Sequence, residues 1–165
     1  MKKDRIIGFV VTLLCIFFFL QGNTVRAFES QPKKIIIPSI NTTLDVHPAK
    51  IIFDTWEVNL DGASFGLSSA LPGNRGNTVL FSHTIDRLFG RLDRIKKGDT
   101  IHIFTDLDWF TYKVVSTQVV KPEETDILNP HNEFELTLYT CTKDPTYSKR
   151  FVVKAVLQQN TSGLQ

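Results

Sequence analysis

Two consecutive strand-like runs near the carboxyl end of the chain place the tightest constraint on its fold. The first, ELTLYTC at residues 135–141, alternates two sets of side chains with a period of two, which predicts a β-strand ending near Cys141. A polar break of eight residues follows, and a second strand-like run extends from 150 to 157. Strands joined in this way usually pair antiparallel, so the last residue of one faces the first residue of the next. The sequence therefore predicts that the thiol of Cys141 lies beside the guanidinium of Arg150.

Further short strand-like runs occur along the chain, each bounded by turn-forming residues. They are predicted at residues 35–38, 44–48, 77–81, 100–104 and 109–120. Apolar positions at helical spacing predict a short helix over 87–95, whereas the Gly-, Ser- and Pro-rich stretch 64–75 is predicted to be a loop. The polar connection 121–133 is predicted to hold at most one helical turn, near 124–128. Many short strands with few helices are typical of an all-β barrel or sandwich.

The first 27 residues differ in composition from the rest and are predicted to be a targeting segment. Three basic residues precede fifteen mostly apolar ones, 6–20, an arrangement typical of a signal peptide. The stretch 25–27 resembles a cleavage site, and fifteen apolar residues are fewer than the roughly 20 that span a bilayer. The remaining chain, residues 28–165, is expected to be one exported globular domain.

The charge of this domain gives no support for nucleic-acid binding. Without the first 27 residues, 15 basic and 16 acidic residues remain. A balanced domain that lacks basic clusters interleaved with aromatic residues has no electrostatic footprint for a polyanion.

Cysteine content is more informative, because Cys15 lies in the apolar segment and leaves Cys141 as the single thiol of the exported domain. No disulfide can form within that domain. A lone exported thiol is buried and inert, paired between chains, or retained because it reacts. A thiol is an intrinsically strong nucleophile but is mostly protonated at neutral pH, so a reactive cysteine needs a basic neighbour. Arg150 supplies charge but cannot accept a proton, so acid-base chemistry requires another residue.

Four histidines are candidates for that residue. His83 closes the run NTVLFSH and so emerges at the end of a predicted strand, where barrel folds place chemistry. His47 lies in an early turn, and both His102, inside a strand, and His131, in a polar loop, are more simply solvated. Asp86 follows His83 by three residues and could orient its imidazole, although a surface aspartate is commonplace.

The motifs themselves resemble those of a known family. TLYTC at 137–141, followed by Arg150 and a Val-Val strand, resembles the sortase signature TLxTC with a downstream arginine. Upstream, GNTVLFSH at 76–83 resembles the strand that carries the sortase catalytic histidine, and FGRLDRIKKGDTIHI at 89–103 resembles the segment after it. The resemblance covers roughly residues 34–157. It departs at Ser82, where the family most often has glycine, so the backbone before the histidine is expected to be less free.

Sortases are membrane-associated cysteine transpeptidases that cut an LPXTG-like sorting signal and attach the freed carbonyl to an amine of the cell envelope or of a pilin subunit. The resemblance therefore implies a closed eight-stranded β-barrel with one or two short helices, and a protein substrate that carries a sorting signal. It also implies that the first 27 residues are kept as a membrane anchor, which opposes the cleaved signal peptide suggested by their length. Both readings export the domain: an anchor would hold it at the extracellular face of the membrane, whereas cleavage near Ala27 would release it as a secreted protein.

The resemblance assigns roles to three residues: Cys141 as nucleophile, His83 as general acid and base, and Arg150 as the donor that stabilises the oxyanion or the substrate. Arg150 also has a simpler reading, as a solvated charge or an ion-pair partner of Asp144 or Glu135. Thr140 is a candidate for substrate binding or for orienting the cysteine backbone, and equally fits a plain strand former.

No cofactor and no metal site are predicted. Some sortases bind calcium through acidic loop residues, but Glu123, Glu124 and Asp126 form no spaced ligand set and are better read as a solvated loop. Two alternative functions remain open at this point: a cysteine peptidase that uses water as the acceptor, and a non-catalytic envelope-binding barrel in which Cys141 is merely buried.

Overall fold

The computed structural model describes residues 30–53, 55–130 and 132–158. Ten strands run along this part of the chain. In chain order they are β1 Lys34–Ile37, β2 Thr42–Ala49, β3 Ile51–Ile52, β4 Thr55–Trp56, β5 Ala63–Gly66, β6 Gly76–Phe81, β7 Thr100–Phe104, β8 Trp109–Val120, β9 Phe134–Cys141 and β10 Arg150–Leu157.

Eight of these strands form a closed barrel. Their order is β1-β2-β5-β6-β9-β10-β8-β7, and β7 pairs with β1 to close the circle. The pairs β2–β5 and β6–β9 are parallel, and the other neighbours are antiparallel. The two remaining strands, β3 and β4, form a separate small hairpin. The predicted all-β fold, with a closed eight-stranded barrel, is confirmed.

Helical structure in the described residues consists of three short 3-10 segments, Pro38–Ile40, Phe89–Arg94 and Thr125–Leu128. The second lies within the helix predicted over 87–95, and the third coincides with the turn predicted near 124–128. In the ranges that the structure covers, there is no helix of the length and apolarity needed to cross a bilayer. The predicted signal or anchor segment, residues 1–27, lies outside the described residues.

The main difference from the sequence prediction is β5, which lies where a loop was predicted. All four of its residues are buried. The strand pairs with β2 on one side and with β6 on the other, so both of its faces and both of its edges are covered. A short strand of this kind has no polar face and therefore no alternation that could reveal it.

The barrel interior is filled by alternate residues of the strands and capped by the 3-10 segment at Phe89. Leu136 and Leu138 of β9 are completely buried in the same apolar cluster as Val153 of β10 and Phe89. Because successive side chains of a strand point to opposite faces, the residues between them in β9 and β10 point outward. That outer face carries the candidate site.

Candidate active site

The register of β9 and β10 brings together the two residues that the sequence pairs. Cys141 and Arg150 are direct partners in the antiparallel ladder. Just beyond them the amide of Thr142 donates to the carbonyl of Lys149 at 3.0 Å, so the pairing continues into the loop. The predicted juxtaposition of thiol and guanidinium is therefore confirmed at the level of strand pairing.

Parallel pairing of β6 and β9 adds His83 to this pair. Phe81 is the register partner of Tyr139, and His83 and Cys141 each lie two residues farther along their chains. Parallel strands end at the same edge of a sheet, and residues two apart share a face. Three adjacent strands, β6, β9 and β10, therefore present His83, Cys141 and Arg150 at one end of the outer face.

The backbone after His83 is held by the 3-10 segment that follows it. The amide of Phe89 donates to the carbonyl of His83 at 3.1 Å, and the amide of Gly90 donates to the carbonyl of Ile85 at 2.9 Å. A Cβ at Gly90 would lie only 2.5 Å from the carbonyl carbon of Ile85, so this tight turn requires glycine. The resemblance to the sortase sequence after the histidine thus corresponds to a structure that fixes the histidine backbone.

The side chain of His83 is half-buried and faces a cavity of about 390 Å³ that is also lined by Cys141 and Tyr147. Its Nε2 atom is buried and forms no hydrogen bond with any group in the described residues. A buried imidazole nitrogen without a hydrogen-bond partner lowers the stability of the fold, so such an atom is usually found where a ligand or a reactant binds to it. Cys141 is itself partly exposed, so a reactant can reach the thiol.

A chain of buried hydrogen bonds connects the two strands that carry Cys141 and His83. Thr140 is 4% exposed, and its hydroxyl donates to the carbonyl of Ser82 at 2.8 Å. The hydroxyl of Ser82 in turn donates to the carbonyl of Gly62 at 2.8 Å. Thr140 therefore points into the barrel wall, which favours its role in orienting the backbone before Cys141 over direct contact with substrate. Ser82, the departure from the family pattern, forms the centre of this chain.

Arg150 is partly buried and is held by the loop between β9 and β10. One guanidinium nitrogen, Nη1, donates to the carbonyls of Tyr147 and Lys149 at 3.2 and 3.1 Å. Asp144, one proposed ion-pair partner of Arg150, is instead used within the loop, where hydrogen bonds from Thr142, Thr146 and the Ser148 amide hold the pKa of its carboxyl well below the usual range. Glu135, the other proposed partner, pairs with Lys154.

A groove of about 440 Å³ begins at Arg150 and extends along the outer face over β9. Its floor contains Tyr139, whose ring stacks on Phe81, which in turn stacks on Trp56 of the small hairpin. Burial raises the pKa of the Tyr139 phenol, and the positive charge of Arg150 opposes that shift only in part. Leu128, from the connection between β8 and β9, lines the opposite wall. The groove is thus a mostly apolar channel with a cationic end beside the thiol.

Neither of the other two described histidines, His47 and His102, lines the cavity that His83 and Cys141 share. His102 bonds to the hydroxyl of Thr111 across β7 and β8 at 3.1 Å, and the ring of His47 lies near Gly62, where a Cβ would be 3.0 Å from it. His131 is not among the described residues. Asp86 is exposed, and within the described ranges no hydrogen bond joins its carboxylate to His83.

Sequence reasoning missed three contributors to the site: the Ser82–Gly62 link, Trp56 in the small hairpin, and the pairing of Glu135 with Lys154. The glycine at position 66 is the sequence feature that relates to the placement of Trp56. A Cβ at Gly66 would lie 2.6 Å from the indole ring, so the missing side chain makes room for it. The role of this glycine can be recognised only when the fold is known, because Trp56 and Gly66 belong to different strands that the sequence analysis did not pair.

Comparisons with known proteins agree with the geometry. A model of the Sortase domain matches residues 35–158. Sortase A of Bacillus anthracis is 31% identical over 124 residues, which cover 73% of this chain and 56% of the relative. Sortase A of Listeria monocytogenes is 30% identical over 129 residues, covering 76% of this chain and 55% of the relative. The chain thus spans about half the length of these curated relatives.

Solved structures show the same fold. Sortase A from Corynebacterium diphtheriae superposes with a TM-score of 0.69 at 29% identity, covering 82% of this chain and 65% of that one. Sortase A from Listeria monocytogenes gives a TM-score of 0.67 at 28% identity, covering 79% of this chain and 89% of that one. From the domain match, the sequence identities and the shared barrel, we conclude that the chain belongs to the sortase family.

Proposed function

We propose that this protein is a sortase-type cysteine transpeptidase that cleaves an LPXTG-type sorting signal through a thioacyl intermediate and transfers the carbonyl to an amine. The observation that carries the proposal is the register of three adjacent strands, which places Cys141 between His83 and Arg150 at one edge of the outer face. A nucleophile, a proton carrier and a fixed cationic donor are the groups that acyl transfer requires.

In the first half of the reaction the sulfur of Cys141 attacks the carbonyl carbon at the cleavage point. The carbonyl oxygen becomes an oxyanion in the tetrahedral intermediate, and the guanidinium of Arg150 stabilises that charge. His83 donates a proton to the departing amine as the C–N bond breaks and the C–S bond remains. In the second half an incoming amine attacks the thioester, His83 accepts its proton, and the C–S bond breaks to release the Cys141 thiolate beside the protonated His83.

Two cavities, one lined by Arg150 and the other by His83 and Cys141, suggest how the substrate lies. The groove begins at Arg150 and runs over the body of the sheet, whereas the cavity lined by His83 lies beyond the strand ends. Because the leaving amine must reach His83, the segment after the cleaved bond belongs in that cavity. The acyl segment, which stays on Cys141, then lies in the groove and brings its carbonyl oxygen to Arg150.

The proposed partners are protein substrates with a sorting signal and an amine acceptor from the cell envelope or a pilin subunit. The apolar segment at residues 6–20 would hold the enzyme at the extracellular face of the membrane, where such substrates emerge. Surface-protein anchoring at the cell wall is the process to which this activity would contribute.

The test is incubation of the full chain, in detergent, with an LPXTG-type peptide and an excess of a small amine, followed by mass analysis of the products. We expect a ligated peptide, together with a thioacyl adduct on Cys141. Hydrolysed peptide alone, at every amine concentration, would identify a peptidase that uses water as acceptor. Unchanged peptide across a panel of sorting motifs would contradict the proposed function and favour a binding barrel.

A further prediction concerns Arg150. Replacing it by lysine keeps the charge but is expected to lower turnover by about 10² to 10³, the usual effect of losing one well-placed oxyanion donor. In the structure Nη1 already bonds two loop carbonyls, so oxyanion stabilisation needs the remaining donors of a planar fork, which an ammonium lacks. Turnover is measured beside the rate at which a thiol reagent alkylates Cys141, and only the turnover is expected to collapse.

Arg75 supplies the matched control for that substitution. Its guanidinium also bonds a loop, through the carbonyl and side-chain oxygens of Asn132 at 3.0 and 3.1 Å, but the residue is not part of the groove or of the cavity beside His83. Arg75→Lys should therefore leave turnover close to the parental value. Near-parental turnover in Arg150→Lys as well would reduce Arg150 to an electrostatic neighbour of the thiol.

A further inference from the structure

The outer face of β6, β9 and β10 carries a second group of polar side chains at the end opposite the catalytic residues. We call it the polar cluster: Asn77, Glu135, Thr137 and Lys154. Lys154 is the register partner of Thr137, and Asn77 is the register partner of Glu135. The four side chains therefore lie in two adjacent rows of the same face. Tyr139 and Phe81 separate them from the row of Cys141.

The charged members of the cluster are largely removed from solvent. The side chains of Lys154 and Glu135 are 13% and 18% exposed, and their Nζ and Oε2 atoms are 3.7 Å apart. Burial lowers the pKa of the Lys154 ammonium, and the negative charge of Glu135 opposes that shift. A buried ion pair of this kind rarely stabilises a fold more than apolar side chains of the same size would. The presence of this ion pair in the outer face therefore needs an explanation other than the stability of the fold.

That explanation lies in the backbone above the cluster. The Nζ atom of Lys154 donates to the carbonyl oxygen of Ile127 at 2.5 Å. The side-chain amide of Asn77 donates to the same carbonyl at 3.2 Å and to the carbonyl of Asn129 at 3.5 Å. Asn77 is oriented for this by Thr137, whose hydroxyl donates to its side-chain oxygen at 2.6 Å. Asn77 and Thr137 are 1% and 0% exposed.

The carbonyls that the cluster holds belong to a wall of the groove. Ile127 and Leu128 of the 3-10 segment Thr125–Leu128 line the groove. Leu128 also packs against the small apolar cluster of Ala49, Val79 and Phe81, so the segment lies across the apolar middle of the face. None of its residues is buried, so its own apolar contacts are limited. The buried donors of the polar cluster therefore attach this wall to the barrel through hydrogen bonds to its backbone.

We propose that Lys154 is a positioning residue: together with Asn77 it fixes the carbonyls of Ile127 and Asn129 and thereby sets the width of the groove that receives the acyl segment of the substrate. This inference rests on the proposed function for the identity of that substrate. The hydrogen bonds that attach the groove wall to the barrel do not depend on which substrate binds. A charged donor forms a stronger hydrogen bond than a neutral one, so we expect Lys154 to contribute more than Asn77 to holding the groove wall.

The place of Lys154 along its strand predicts which kinetic constant it affects. Lys154 lies four positions beyond Arg150 in β10, a distance of about 13 Å at 3.3 Å per residue. Lys154 is thus too far from the thiol to take part in the chemistry. Loosening the groove wall should weaken binding of the acyl segment and raise KM, whereas kcat at saturating peptide should change little.

The test uses two variants of the full chain. Lys154→Met removes the ammonium but keeps an unbranched side chain of similar length. Because it leaves the Glu135 carboxylate without this cation, a second variant combines it with Glu135→Gln and removes both charges. Lys113→Met is the matched control, since Lys113 is an exposed lysine of the neighbouring strand β8. Amide hydrogen exchange over residues 123–133 and the KM for a sorting-signal peptide are measured in each.

In both Lys154 variants we expect exchange over 123–133 to rise by about tenfold or more, as the loss of a charge-assisted hydrogen bond implies, while β9 and β10 stay protected. KM should rise by a similar factor, with kcat within about twofold of the parent. Exchange and KM equal to those of Lys113→Met would overturn the inference, as would a loss of protection spread evenly over the barrel. If the parent processes no sorting peptide, the proposed function fails and the exchange result alone decides the role of Lys154.

Discussion

Replacement of Cys141 by alanine is expected to abolish both cleavage and transfer while the barrel remains folded. The methyl group that replaces the thiol cannot form the thioester, and residues 28–165 contain no other cysteine. Cys141 is partly exposed on the outer face, whereas the core is built from the inward residues of β9 and β10, so the substitution removes little buried surface. Turnover of a sorting-signal peptide and the midpoint of thermal unfolding are measured together.

Cys15→Ala is the control for that substitution, because it removes the other thiol of the chain and should leave turnover unchanged. In this background a thiol-specific reagent can modify only Cys141, and modification should inactivate the enzyme to the same extent as Cys141→Ala. Persistent cleavage by Cys141→Ala, or full activity after complete alkylation, would show that another group is the nucleophile.

The hairpin that carries Cys141 is the part of the fold that the sequence predicts best. Alternation over 135–141 and 150–157 places both strands to within a residue of the observed ones, Phe134–Cys141 and Arg150–Leu157. The short connection then leaves antiparallel pairing as the simplest arrangement, and the observed register follows. Prediction succeeds here because every contact involved is close in sequence.

Contacts between distant parts of the chain could not be predicted in the same way. The barrel closes through pairing of β1 with β7, and its two parallel pairs join β2 to β5 and β6 to β9. Periodicity shows that a strand exists but does not name its partner. The number of strands came from the resemblance to a known family, whereas composition alone left a barrel and a sandwich equally possible.

The same distinction applies to the site. His83, Cys141 and Arg150 lie in recognisable motifs, and their grouping follows once β6 and β9 are known to be parallel. The polar cluster has no such signal, because a lysine in β10, a glutamate in β9 and an asparagine in β6 each read as ordinary solvated residues. Only the fold places Lys154 under the carbonyl of Ile127. Residues that hold other residues in place are thus harder to find from sequence than residues that do chemistry.

Replacement of His83 by alanine is expected to lower kcat/KM by about 10² to 10⁴, the range that general acid-base catalysis contributes. Arg150 cannot take over the proton transfer, because guanidinium stays protonated at any working pH. The parent should show a bell-shaped dependence of kcat/KM on pH, since a cysteine and a histidine must each be in one protonation state. The variant should be slow across the whole range and lose the histidine limb of that profile.

His102 provides the control that separates a chemical role from a structural one. It is also a half-buried histidine, but it bonds Thr111 in the wall formed by β7 and β8, so His102→Ala should keep the parental rate and pH profile. His83→Ala should unfold near the parental temperature, because Nε2 of His83 makes no hydrogen bond in the part of the chain that the structure describes. A parental pH profile in His83→Ala would transfer the acid-base role to another histidine. His47, whose ring lies near Gly62, the residue to whose carbonyl Ser82 donates, would then be the first residue to replace.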